Sequence, residues 1–250
     1  MTSKVPTPSY PFEEMQSRTR LLVGDRGIEH FQQAHILLVG AGGVGGAVAH
    51  MLVRAGIGAL TIVDGDKVAT SNLNRQMVSY QDTVGMHKTE ALGQELLRIN
   101  PGLNLTLHTT YLEVQDIAPL FSTTTYSFVA DAIDTLAPKT ELIAYCYEHG
   151  IPLISSMGAG AKIDPTALRI ADIGQTHTCS LAKAVRKNLR ARGIRKGIPV
   201  VFSSEIALEE AIIGSSTDKG KRSTVGTISY LPNLFGGFMA GYILRSLSGL

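Results

Sequence analysis

His35-Ile36-Leu37-Leu38-Val39-Gly40-Ala41-Gly42-Gly43-Val44-Gly45 begins with a short apolar run and ends in a cluster of glycines. A strand that is apolar throughout belongs in a parallel sheet with helices on both faces. Gly40, Gly42, Gly43 and Gly45 let the backbone turn tightly and come close to a ligand where a Cβ would collide. The helix expected behind them turns its N–H groups and the positive end of its dipole toward an anion such as a phosphate. Leu60-Thr61-Ile62-Val63-Asp64-Gly65-Asp66 follows. Asp64 lies about 20 positions beyond the turn, where a carboxylate meets a ribose hydroxyl. So far a dinucleotide and ATP fit equally well.

Asn72-Leu73-Asn74-Arg75-Gln76 begins eight residues after Asp64 and breaks the tie. A triphosphate that is to be cleaved needs added cations and amide donors around the leaving pyrophosphate. Arg75 offers a planar fork, Asn74 and Gln76 offer amides, and Lys88 offers a point charge at the start of a helix. A single arginine or lysine would be read as a solvated side chain; the ordered set after one acidic strand end is what points to phosphates. Asp131-Ala132-Ile133-Asp134 closes a further strand. Carboxylates at such ends face the ligand crevice, and Asp134, just past the end, is suited to hold Mg²⁺. Its alternative role is an N-cap for the helix that begins near Pro138.

Apolar runs at 35–39, 59–63, 104–109, 127–131 and 152–156 alternate with amphipathic stretches at 13–33, 44–55, 87–98 and 138–149. That alternation predicts an α/β fold, a Rossmann-like and mostly parallel sheet with helices on both faces. Residues 1–160 read as the nucleotide-binding domain. Residues 161–250 read as an extension packed on it, with antiparallel strands near 168–173 and 200–203, a basic segment and an apolar C-terminal helix. Residues 1–12 look like a loose tail, and the polar stretch 214–225 looks like a mobile loop.

The chain has 250 residues, a net charge of +2 and two cysteines. Bulk charge that small does not mark a nucleic-acid binder, so local clusters must carry any such case. Cys146 and Cys179 form neither a disulfide framework nor a zinc pair, and read as structural residues. His35 and His149 flank strands and read as edge histidines. No secretory leader is evident at the N-terminus, and a cytoplasmic location is expected. Residues 231–250 are apolar, but Arg245 and the glycines favour a buried helix over membrane contact.

Taken together, Gly-x-Gly-Gly-x-Gly, Asp-x-Asp, Asn-x-Asn-Arg-Gln, Val-Gly-x-x-Lys, Asn100-Pro101 and Asp-x-x-Asp resemble the ThiF/MoeB/HesA adenylating family, relatives of the ubiquitin-activating enzymes. The resemblance implies a homodimer that binds ATP and Mg²⁺, joins AMP to a carboxylate and releases pyrophosphate. It implies ribose contact by Asp64, phosphate contact by Asn72, Arg75, Gln76 and Lys88, and Mg²⁺ at Asp134. It also implies an arginine reaching across the dimer, best matched by Arg20, with Arg18 the alternative. The chain lacks the paired Cys-x-x-Cys ligands and the evident nucleophilic cysteine of the sulfur-carrier activators.

Gly158-Ala159-Gly160 with Ile163-Asp164-Pro165-Thr166, Val201-Phe202-Ser203-Ser204-Glu205 and Gly226-Thr227-Ile228-Ser229-Tyr230-Leu231-Pro232 instead resemble the branch that dehydrates threonylcarbamoyladenosine in tRNA. Some members carry a cysteine where this chain has Val200. Lys183, Arg186, Lys187, Arg190, Arg192, Arg195 and Lys196 form an acid-free run suited to tRNA phosphates, or else a solvated helix face. The alternatives are an activator of a ubiquitin-like sulfur-carrier protein, a nucleotide-binding scaffold without turnover, and a nicotinamide dehydrogenase.

Overall fold

A computed structural model of the chain describes residues 11–214 and 224–249. The tail at 1–10 and most of the polar stretch expected to form a loop, 215–223, lie outside the described residues. The chain opens with a short helix α1 (Phe12–Met15) and α2 (Ser17–Gln33), the latter kinked at Gly24, where φ is 69°. The alternating core follows: β1 (His35–Val39), α3 (Gly43–Arg54), β2 (Ala59–Val63), α4 (Lys88–Ile99), β3 (Asn104–His108), α5 (Ile117–Ser122), β4 (Phe128–Asp131), α6 (Leu136–Glu148) and β5 (Leu153–Ser156). Then come β6 (Leu168–Asp172), α7 (Ser180–Ala191), β7 (Pro199–Ser203), the two-residue strands β8 (Ile212–Ile213) and β9 (Thr224–Val225), and α8 (Leu231–Ser248).

Seven strands form one sheet in the order β3-β2-β1-β4-β5-β7-β6. Every neighbour pairs in parallel except β6, which runs antiparallel to β7 at the edge. Of the two late strands expected to be antiparallel, β7 therefore continues the parallel sheet beside β5. The pleat sends alternate residues to opposite faces. Ile36 and Leu38 of β1 join α2, α3, α4 and α8 through Phe31, Leu52, Leu92 and Phe235. Leu37 and Val39 join α5, α6 and α7 through Ile117, Leu142 and Val185. Burial on both faces is why β1 shows no polar alternation.

The apolar C-terminal segment is α8, whose Phe235, Met239 and Ile243 are buried against the first of these faces. Its approach to α3 is close: a Cβ on Gly236 would lie 2.5 Å from the Val44 carbonyl oxygen. Among the described residues no helix is long and apolar enough to cross a membrane.

Candidate active site

The carboxyl ends of β1, β2, β3 and β4 open into a cavity of ≈ 400 Å³. Its size falls within the range of about 300–1,000 Å³ usual for small-molecule sites. A larger cavity of ≈ 1320 Å³ lies beside the amino ends of β2 and β3, lined by Phe12, His50, Arg54 and Glu95 among others. It contains none of the strand-end residues, so chemistry rather than size selects the smaller one.

The glycine turn forms one wall. Gly40 sits at φ +96°, and a Cβ there would lie 2.7 Å from the Ala132 carbonyl oxygen; one on Gly45 would fall 1.8 Å from the Gly40 oxygen. The turn between β1 and α3 can therefore press against the end of β4 only with glycine at these points. Gly42 and Gly43 face the cavity at the start of α3. Among the described residues, its chain neighbours aside, the one atom within 4 Å of a Cβ built on Gly42 is the Gln76 amide nitrogen, at 3.8 Å.

Asp64 accepts the backbone N–H of Ala41 at 2.6 Å through Oδ2 and that of Asp66 at 2.7 Å through Oδ1. Burial pushes its carboxyl above the usual range, while these two N–H groups and the Lys88 charge pull it back. Lys88 is buried and its Nζ lies 2.8 Å from Asp66 Oδ2; Tyr111 donates its hydroxyl to Asp66 Oδ1 at 3.0 Å. Asp66 thus holds the ammonium at the cavity wall. Arg75 also lines the cavity, its guanidinium donating to the Ser71 carbonyl at 2.9 Å and to Asn74 Oδ1 at 2.8 Å.

Asn74 in turn donates to the Thr227 carbonyl at 2.9 Å, and Asn233 donates to the Arg75 carbonyl at 3.2 Å. The segment before α8 and the first turn of α8 therefore brace the Asn-Arg-Gln loop. Asn72 accepts the Ala69 N–H at 3.0 Å, and it does not line the cavity. Asn74 and Gly45 are also outside the lining. Arg20 lies apart as well, paired with Glu13 and, at 2.9 Å, with Asp25.

Asp134 stands at the cavity rim, held at its present position by a buried ion pair below it. Asp131 and Lys139 are both inaccessible to solvent, with Nζ 2.8 Å from Oδ2. The same oxygen accepts Ser155 Oγ at 2.6 Å. Asp131 Oδ1 accepts the Ile133 N–H at 3.1 Å, while Lys139 donates to the Ile133 carbonyl at 2.9 Å. Both backbone groups of Ile133 are pinned, which fixes the turn that carries Asp134. Neither Lys139 nor Ser155 was legible as a site-shaping residue, because each gains its role only from the turn folded above it.

The donor set fits a magnesium nucleotide. The space above Gly42 is a cradle that a Cβ would begin to fill, and the Gln76 amide is buried there with Oε1 unpartnered among the described residues. Such an amide is suited to a ligand, and either of its ends can face the cavity, since the two exchange on rotation. Among the described residues no group of three or more His, Cys, Asp and Glu could hold a metal alone. A single carboxylate, Asp134, still suits Mg²⁺, which takes one or two carboxylates plus phosphate oxygens and water.

In the basic segment, Arg186 is turned inward and donates to the Thr176 carbonyl at 2.8 Å and to the Thr176 hydroxyl. Arg192 pairs with Glu141. Lys183, Lys187, Arg190, Arg195 and Lys196 are exposed. Tyr111, Glu113, Thr135, Thr227 and Pro232 line the cavity without having been singled out for a site. Tyr111 lies just past the end of β3, where the rule for strand ends could have found it.

The ThiF family model matches residues 16–250. The chain belongs to the ThiF family. It is 36% identical over 239 residues to the tRNA threonylcarbamoyladenosine dehydratase of Bacillus subtilis, covering 92% of this chain and 93% of that one. It is 39% identical over 194 residues to the Escherichia coli enzyme of the same name, covering 75% of this chain and 72% of that one. Among solved structures, the E. coli dehydratase TcdA in complex with ATP matches with a TM-score of 0.86 and 32% identity over 95% of each chain. The fold of this ThiF-family chain is that of TcdA.

Proposed function

We propose that this protein is an ATP-dependent enzyme that dehydrates N6-threonylcarbamoyladenosine in tRNA to its cyclic form. The observation that carries this proposal is the gathering of the glycine turn, Asp64, Arg75, Gln76, Lys88 and Asp134 around one cavity, in a chain alike to tRNA dehydratases over nearly its whole length. The substrate carboxylate attacks the α-phosphorus of ATP; a carboxyl–phosphate bond forms and pyrophosphate leaves with the bonding pair. The carbamoyl nitrogen then attacks the activated carbonyl, loses its proton as the ring closes, and AMP departs. No protein nucleophile is required.

Asp64 meets the ribose, and the N–H groups at the start of α3 meet phosphate oxygens. Arg75, Gln76 and Lys88 face the charge that grows on the leaving pyrophosphate, in a site arranged before the reaction begins. Asn72 and Asn74 act through the loop that carries Arg75. Asp134 would hold Mg²⁺, which supplies charge neutralisation to the phosphates when bound. The working unit is a homodimer in which Arg20, remote from its own cavity, serves the neighbour's. The exposed cations of the basic segment attract tRNA phosphates, and Arg186 and Arg192 fix the shape of that segment.

The test is mass spectrometry of nucleosides from threonylcarbamoyladenosine-containing tRNA incubated with the protein, ATP and Mg²⁺. Loss of one water from that nucleoside, dependent on ATP, is expected. An unchanged nucleoside with ATP still bound would shift the assignment to an activator of a carrier-protein tail, to be tested by pyrophosphate exchange.

A further inference from the structure

Helix α7 begins beside the active cavity and ends far from it. A Cβ built on Gly158 would lie 3.6 Å from Cys179 Sγ at the start of α7, and Ala159 and Gly160, which follow, line the cavity. The helix is 12 residues long, or about 18 Å. Ala182, Val185 and Leu189 are buried against the sheet, while Lys183, Lys187 and Arg190 are exposed. Their spacing of four and three residues sets the three cations in one row.

Beyond the helix the chain turns at Gly193 and reaches a groove of ≈ 470 Å³ lined by Tyr147, Asp172, Gly174, Gln175, Arg195, Lys196 and Gly197. Tyr147 is 46% exposed. Its ring is seated on Gly197, where a Cβ would come within 3.1 Å of a ring carbon. Arg195 and Lys196 are exposed and make no ion pair among the described residues. The groove's acid, Asp172, is occupied: it accepts the N–H of Gly174 at 2.8 Å, of Gly197 at 2.5 Å and of Ile198 at 3.2 Å.

An open aromatic ring flanked by cations, at the end of a basic row, is the arrangement that binds an unpaired nucleotide: the ring takes the base and the cations take the phosphates. We propose that this groove is a second RNA-binding site, in which Tyr147 stacks one unpaired base of the tRNA and Arg195 and Lys196 hold the adjoining phosphates. The row Lys183–Lys187–Arg190 leads the strand there from the active cavity. This inference rests on the tRNA reading above and adds Tyr147 to the cations already assigned to tRNA there.

The experiment measures binding of threonylcarbamoyladenosine-containing tRNA to the full-length protein by fluorescence anisotropy over a series of salt concentrations. Tyr147→Ala and Tyr147→Leu should each weaken binding by about 5- to 100-fold, the scale for loss of one base–aromatic stack. Tyr147→Phe should bind like the parent. Arg195→Ala with Lys196→Ala should weaken binding and make the salt dependence shallower by about two phosphate contacts, whereas the Tyr147 variants should keep the parental slope. ATP affinity, read in parallel, should stay at the parental value in all four and so certify the fold. Parental affinity in both Tyr147→Ala and Tyr147→Leu would overturn the stacking site, even if the double variant weakened binding. A parent protein that binds no tRNA would overturn the functional proposal and this inference with it.

Discussion

Arg75 makes two hydrogen bonds within its own loop, to Ser71 and Asn74, and neither partner is a carboxylate. Among the described residues its charge is therefore oriented but not neutralised by an ion pair, as suits a group that stabilises charge growing in a transition state. Arg75→Ala should lower turnover by about 10²–10³-fold, the scale for one pre-organised donor. Steady-state rates would check this, and near-normal turnover would take Arg75 out of the mechanism. Cys146 plays the opposite part. Burial first, then the Asp131 charge, raises its thiol from the ordinary value of 9.0 to about 12. A group whose pKa rises on folding contributes stability that is full below the unfolded value and is lost as pH climbs through the folded one. Between pH 9.0 and about 12 the urea midpoint should thus fall more steeply in the parent protein than in Cys146→Ala. Equal slopes would show that this thiol is not linked to folding. The orientation of Arg75 was legible in the sequence because its hydrogen-bond partners are local. That of Asn74 was only half legible, since its bond to Thr227 spans 153 residues.

Helices and strand ends set the site through packing. A Cβ on Gly236 would also lie 2.7 Å from Ala47 Cβ and 3.1 Å from the Val48 nitrogen, so α8 cannot keep its distance from α3 with alanine there. Gly236→Ala should cost about 1–3 kcal/mol by overpacking. It should also weaken ATP binding, because the start of α8 brings Pro232 to the cavity and Asn233 to the Arg75 carbonyl. Denaturant unfolding and ATP titration together check this; unchanged ATP affinity in a destabilised variant would separate α8 from the site. The turn after β4 depends on Lys139. Lys139→Met would leave Asp131 buried without its cation and should cost about 3–5 kcal/mol, measurable by urea unfolding. The sequence pattern located α8, but it did not disclose that the same helix is both a core element and a brace for the Asn-Arg-Gln loop.

In the whole molecule, Arg20 and Arg75 are expected to meet only between two copies of the chain. Arg20 sits on α2 against Glu13 and Asp25, outside the lining of its own cavity. If each cavity takes Arg20 from its neighbour, Arg20→Ala and Arg75→Ala proteins should each turn over slowly alone and much faster when mixed. A mixed dimer holds one cavity with both arginines intact, so re-equilibrated equal mixtures should recover about a quarter of parental turnover. No recovery, in mixtures shown to exchange subunits, would confine both arginines to a single chain or remove Arg20 from the reaction.

The amino-acid order by itself determined the alternating elements, the apolar β1, the glycine turn and the acidic strand ends, because each rests on local periodicity or on a backbone conformation that few residues adopt. It also carried the family, since those motifs keep a fixed order along the chain. The tertiary structure alone decided which of the marked residues share a cavity. It set Asn72 in a loop-holding role, turned Arg186 inward, paired Arg192 with Glu141, joined β7 to the parallel sheet, and brought Thr227 and Pro232 to a wall built mainly from the first half of the chain. Those outcomes depend on contacts between segments far apart in sequence, where neither spacing nor composition carries a record of which side chain meets which.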